Sequence, residues 1–185
     1  MSRGRIEVIA GGMFSGKSEE LVRRLRRATI ARKRVLAIKH ASDDRYHQTH
    51  IGCHTGSTFA AMPMSNIAEM YAAAKDVDVI GIDEAQFFNA GLLQFCEEMA
   101  TRGVRVIVAG LDQDSDGKPF GAMPHLMAVA EEVTKLYAVC VICGEEASRS
   151  YHKGAKSTQV EVGAAQYEAR CRKCWLLGAN ATPKE

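Results

Sequence analysis

One stretch near the amino terminus constrains this chain more than any other feature. Gly11-Gly12-Met13-Phe14-Ser15-Gly16-Lys17-Ser18 satisfies the pattern G-x-x-x-x-G-K-[ST], between an Ile- and Val-rich run at 5–10 and an amphipathic stretch after Lys17. The pattern works only between a strand and a helix. Its glycines let the loop wrap closely, so that backbone N–H groups and the following helix N-terminus point at nucleotide phosphates. Lys17 supplies a point charge there, and the Ser18 hydroxyl a ligand for Mg²⁺.

Further strand-like runs lie at 34–39, 77–82, 104–109 and 133–142, with helical stretches between most of them. Leu21, Val22, Leu25, Ala28 and Thr29 recur at the spacing of one apolar helix face. Arg23, Arg24, Arg26 and Arg27 fall elsewhere on the turn and read as a solvated face. Ser65 to Ala74 and Asn89 to Thr101 also read as helices, the second capped by Asn89 and stopped at Gly103. This alternation predicts an α/β fold: a P-loop NTPase-like parallel sheet flanked by helices, with right-handed crossovers. The stretch from about residue 40 to Pro63 has no periodicity and reads as a long loop. Its histidines (His40, His47, His50, His54) are taken as solvated or hydrogen-bonding rather than metal-binding.

Val79-Ile80-Gly81-Ile82-Asp83-Glu84-Ala85-Gln86 is a buried strand ending in two acids. With a phosphate loop on a neighbouring strand, Asp83 is placed to hold Mg²⁺ and Glu84 to accept a proton from an attacking nucleophile. Near the carboxyl end, Cys140, Cys143, Cys171 and Cys174 form two C-x-x-C pairs, a pattern better read as a four-thiolate structural zinc site than as disulfides. The stretch between the pairs exceeds the roughly 15 to 20 residues of a compact zinc ribbon, so His152 to Gln166 is expected to project as a mobile lid. The 185 residues then divide into a P-loop domain (1–138), a zinc-binding subdomain (139–178) and a tail (179–185).

Charge and hydropathy exclude several functions. The 24 Lys and Arg nearly balance the 22 Asp and Glu, which argues against sequence-independent nucleic-acid binding. No apolar run approaches the roughly 18 residues of a membrane span, and Glu7 and Lys17 interrupt any signal-like segment; a cytoplasmic protein is expected. Asp-Glu-Ala-Gln also occurs in helicases, so a small nucleic-acid-interacting ATPase remains an alternative, as does a nucleotide-binding regulator without turnover.

Taken together, GGMFSGKS, D-x-R-Y at Asp43 to Tyr46, DEAQFF at 83–88, the LD…PFG segment from Leu111 to Gly121, the two C-x-x-C pairs and Gly163…Tyr167 make the chain resemble the thymidine kinases of the P-loop, zinc-ribbon kind (type II). That resemblance implies transfer of the ATP γ-phosphoryl group to the 5′-hydroxyl of thymidine. Glu84 would be the general base, and Asp83 with Ser18 would position Mg²⁺. Gly11 to Ser18 with Asp83, Glu84, Ala85 and Gln86 would form the nucleotide site, and Arg45 would neutralise the transferring group. Thymine would lie among Met13, Phe87, Leu111, Phe120 and Tyr167, its edge read by backbone near Val162 and Gly163. The resemblance also implies a homotetramer inhibited by thymidine triphosphate. Gly12 stands where the family has Pro, and Ser115 and Asp116 replace an aromatic and a basic residue.

Overall fold

The computed structural model describes residues 4–42, 49–52, 58–154 and 164–181. The chain opens with β1 (Arg5–Gly11), the phosphate loop, α1 (Lys17–Ile30) and β2 (Val35–His40). Next come β3 (His50–Gly52), β4 (Thr58–Ala60), β5 (Met62–Met64), α2 (Ile67–Ala73) and β6 (Val79–Asp83). A 3-10 turn at Ala85–Phe87 leads to α3 (Gly91–Thr101), β7 (Arg105–Gly110), α4 (Met123–Val129) and β8 (Glu132–Leu136). A smaller unit follows, with β9 (Ala138–Val139), β10 (Glu146–Ala147), β11 (Arg149–His152), β12 (Tyr167–Arg170) and α5 (Arg172–Leu177).

Six strands form one sheet in the order β5-β2-β6-β7-β1-β8, and every pair in it is parallel. Alternate residues of each strand face opposite sides, as a period of two requires. Ile6, Val8 and Ala10 pack with Leu92, Phe95 and Met99 of α3 and Met123 and Leu126 of α4; Ile9, Ile107 and Ala109 pack with Leu21, Val22 and Leu25 of α1. The result is three layers. α1 sits close because Gly81 of β6 has no side chain: a Cβ there would fall 2.7 Å from Leu25 Cδ2. Leu25 is fully buried, and its truncation to Ala would cost about 2 to 5 kcal/mol.

Three expectations change. β6 is not next to β1, since β7 lies between them; the two strand ends still meet because α1 crosses over β6 and β7. The run at 133–142 breaks at Tyr137 into β8, which joins the main sheet, and β9, which pairs with β10. The stretch expected as one long loop holds the β3–β4 hairpin and the edge strand β5, each too short at three residues to show a period.

Arg24 also departs from the solvated face. It is buried, and it bonds Glu7 at 2.7 Å, Glu20 at 2.7 Å and Glu132 at 2.9 Å. Glu7 is fully enclosed and is shared with Arg105 at 2.6 Å and Arg5 at 2.6 Å. Burial alone would raise the Glu7 carboxyl, but hydrogen bonds from Arg105 and Arg24 outweigh it and hold the group down at about 2. Among the described residues, no helix is long and apolar enough to cross a membrane.

Candidate active site

The phosphate loop leaves β1 at Gly11, where a Cβ would lie 2.4 Å from the Leu136 carbonyl oxygen, so only glycine lets the loop pass β8. Gly16 caps α1 in the left-handed region at φ 81°. Inside the loop the Gly12 carbonyl accepts from Lys17 Nζ at 2.7 Å and Ser15 Oγ at 2.8 Å. Met13 N–H donates to Ser150 Oγ at 3.0 Å, which joins the loop to β11 of the small unit. Phe14 is exposed, with a positive φ of 65°.

Ser18, in the first turn of α1, donates to Asp83 Oδ2 at 2.9 Å, bringing the expected magnesium pair together. Burial, and then the charge of Glu84 beside it, push the Asp83 carboxyl up to about 7, against the Ser18 hydrogen bond and the charge of Lys17. A buried carboxylate with a hydroxyl at its side is an oxygen donor set suited to a hard divalent cation, whose charge would offset that burial. Asp83 Oδ1 accepts from Glu84 N at 3.0 Å, and Glu84 sits in the left-handed region at φ 53°, ψ 41°. A non-glycine residue held there stores strain, a frequent mark of a working site. Gln86 Nε2 then donates to Glu84 Oε2 at 2.5 Å, while Ala85 is buried in the core.

Beyond the acids lies an aromatic wall. Phe87 and Phe120 meet edge to face with ring centroids 5.9 Å apart, and His40 edges Phe88 at 4.7 Å. Leu111 joins through its N–H, which donates to Gln86 Oε1 at 2.9 Å. Tyr167 stands on the β11–β12 ribbon against His152, at 5.1 Å. Arg45, Val162 and Gly163 lie outside the described residues, as do Asp43 to Tyr46, His47, His54, Cys53 and the middle of the expected lid. Ser115 contributes its backbone carbonyl, which accepts from Trp175 Nε1 at 3.1 Å and ties that segment to α5.

The four paired cysteines converge, their sulfur atoms all within 4.8 Å of one another. Four thiolates around Zn²⁺ at about 2.3 Å would stand about 3.8 Å apart, and Cys143 and Cys171 are 3.6 Å apart here, so the set fits zinc. Burial and the neighbouring thiols push Cys174 up to about 12, while Cys140, which burial alone would raise, is held down at about 6 by backbone hydrogen bonds from Cys171 and Cys143. Cys96 is buried in the core on α3, away from this cluster.

Sequence reasoning did not find the Glu7–Arg24–Arg105 knot, Ser150, or the two bonds of Gln86. Glu7 had a signal, a lone acid inside an apolar strand run; the other two had none.

Residues 4–175 match the family profile described as thymidine kinase. The thymidine kinase of Bacteroides thetaiotaomicron is 49% identical over 175 residues, covering 94% of this chain and 88% of that one. That of a Rhodothermus species is 49% identical, with 94% and 82% covered. That of Bdellovibrio bacteriovorus is also 49% identical, with 93% and 85% covered.

Proposed function

Since the chain belongs to the thymidine kinase family, we propose that it transfers the γ-phosphoryl group of ATP to the 5′-hydroxyl of thymidine, with Glu84 as the general base. The observation that carries this reading is the hydrogen-bonded line Ser18–Asp83–Glu84–Gln86, which runs from the phosphate loop to the Phe87–Phe120 wall. A phosphate cradle, an oxygen pair for a cation and a carboxylate beside an apolar wall are what phosphoryl transfer to a nucleoside needs.

In this reaction the 5′-oxygen attacks the γ-phosphorus while the bond to the β,γ-bridging oxygen breaks. ADP leaves with that electron pair, and the hydroxyl proton passes to Glu84. Lys17 gives up the Gly12 carbonyl for the phosphate oxygens, and Arg45 offsets charge on the transferring group. Ser18 and Asp83 would hold Mg²⁺, which would supply charge neutralisation at the phosphates when bound. Thymine packs among Met13, Phe87, Leu111, Phe120 and Tyr167, with backbone near Val162 and Gly163 at its polar edge.

The same reading makes zinc at Cys140, Cys143, Cys171 and Cys174 structural, and makes thymidine triphosphate an inhibitor that spans the nucleoside and phosphate sites. It also takes the protein to be a cytoplasmic homotetramer, for which the exposed Val133, Tyr137, Val139 and Val141, from β8 to just past β9, offer apolar contact surface. The test is incubation with MgATP and a panel of nucleosides, followed by chromatography. Thymidine monophosphate is the expected product. ATP hydrolysis stimulated by single-stranded nucleic acid, with no nucleoside monophosphate, would replace this reading.

A further inference from the structure

Gln86 is 3% exposed, and both ends of its side chain are spent on neighbours within the protein. That side chain is a bridge. Oε1 accepts from Leu111 N–H at 2.9 Å, and Nε2 donates to Glu84 Oε2 at 2.5 Å. A backbone N–H can only donate, so the amide oxygen must face Leu111 and the amide nitrogen must face Glu84. The orientation is therefore fixed by the partners and not by choice of flip.

The surroundings are shaped to this amide. A Cβ on Gly110 would stand 2.8 Å from Gln86 Oε1, and one on Gly121, at φ +53°, would stand 2.2 Å from the Gln86 carbonyl oxygen. Gly110 thus leaves room for the side-chain amide beyond the ends of β6 and β7, and Gly121 lets the chain pass close to the Gln86 backbone. On one side of the bridge is Glu84 in its left-handed backbone conformation; on the other is Leu111, where the segment leading to Phe120 begins. Few side chains can serve both ends. Glu would accept from Leu111 but has no proton for Glu84 when ionised, Asn is a methylene too short, and Met offers neither bond.

We infer that Gln86 is a positioning residue for the reaction: its amide sets the plane of the Glu84 carboxylate and registers it against the Leu111–Phe120 side of the nucleoside pocket. The inference rests on the reading of Glu84 as the base and deepens it. Misplacing a reacting group by about 1 Å can cost on the order of 100-fold in rate, so a loose carboxylate should lower kcat while ATP binding stays as it was.

Two variants separate the two ends of the bridge. Gln86→Met removes both bonds, whereas Gln86→Glu keeps the acceptor for Leu111, loses the donor to Glu84 and sets a second carboxyl group against it. Both should lower kcat by about 10- to 100-fold with the KM for ATP within about 2-fold of wild type. In a Glu84→Gln background, Gln86→Glu should cost less than about 2-fold more, because a residue acting through Glu84 has nothing left to position. Wild-type kcat in Gln86→Glu would show that the bridge serves only to hold Leu111, and would overturn the inference. A full additional loss in the Glu84→Gln background would overturn it as well. Should Gln86→Met fail to fold, Gln86→Glu and the double variant decide the matter alone. Failure of the underlying reading looks different: wild-type protein would then form no thymidine monophosphate at all.

Discussion

Replacing Glu7 by Gln tests whether the buried knot beneath α1 stabilises the fold by charge. Burial works to raise the Glu7 carboxyl, yet hydrogen bonds from Arg105 and Arg24 hold it at about 2 in the folded chain against an ordinary 4.5. That shift corresponds to about 3 kcal/mol at neutral pH. The sign follows from the direction. A depressed carboxyl contributes its full stability above the unfolded value and loses it as pH falls from about 4.5 toward 2, so about 1.5 kcal/mol should remain at pH 3. With a urea slope of about 2 kcal/mol/M, the Glu7→Gln protein should unfold about 1.5 M earlier at pH 7, and about half that or less at pH 3. Urea titrations followed by circular dichroism at both pH values give the comparison. Acid also strips metal from thiolates, but it does so in both proteins and drops out of the difference. A gap between wild type and variant that stays constant from pH 7 to pH 3, or widens in acid, would refute the charge argument and leave only packing.

Three further outcomes follow from the site. Glu84→Gln and Lys17→Ala should each lower kcat by about 10² to 10⁴, measured as thymidine monophosphate formed per second; near-normal turnover in Glu84→Gln would remove the assigned base. Elemental analysis should find about one zinc per chain, lost in Cys171→Ser and kept in Cys96→Ser, because Cys96 is packed in the core of the sheet. Tyr167→Ala should raise the KM for thymidine and weaken inhibition by thymidine triphosphate together, with the KM for ATP unchanged; a rise in the ATP value alone would place Tyr167 on the wrong substrate.

What could be seen in the sequence is what a single local segment encodes. The phosphate loop needs its glycines and Lys17 in one run, the acids at Asp83 and Glu84 follow directly on a strand, and each cysteine pair closes within four residues. Local spacing carries all of these. The knot at Glu7 cannot be read this way, because Arg24 and Arg105 come from a helix and a strand 17 and 98 positions away. Burial of an arginine on an apparently polar helix face depends on what the next layer offers it. The same holds for Gln86, whose partner Leu111 lies 25 positions on. The interposed β7 is a matter of topology: the order of strands in a sheet leaves no mark on the strands themselves, so Asp83 was expected one strand too close to the loop.

The contact between Met13 and Ser150 changes how the two parts of the chain bear on each other. Ser150 is held on β11 by its pairing with Ala169 on β12, and β12 runs directly into Cys171. The paired cysteines therefore frame the ribbon that supports the phosphate loop, and the small unit helps to shape the nucleotide site through one hydroxyl. Lys17 and Ser15 meanwhile converge on the Gly12 carbonyl, so the loop is closed on itself before phosphate arrives. In the proposed reading, phosphate would displace Lys17 from that carbonyl at a cost of about one charged hydrogen bond, on the order of 2 kcal/mol. In return the loop has little conformational entropy left to lose. Gly12 leaves φ unrestricted, so that stiffness has to come from these three bonds and not from a ring such as proline's.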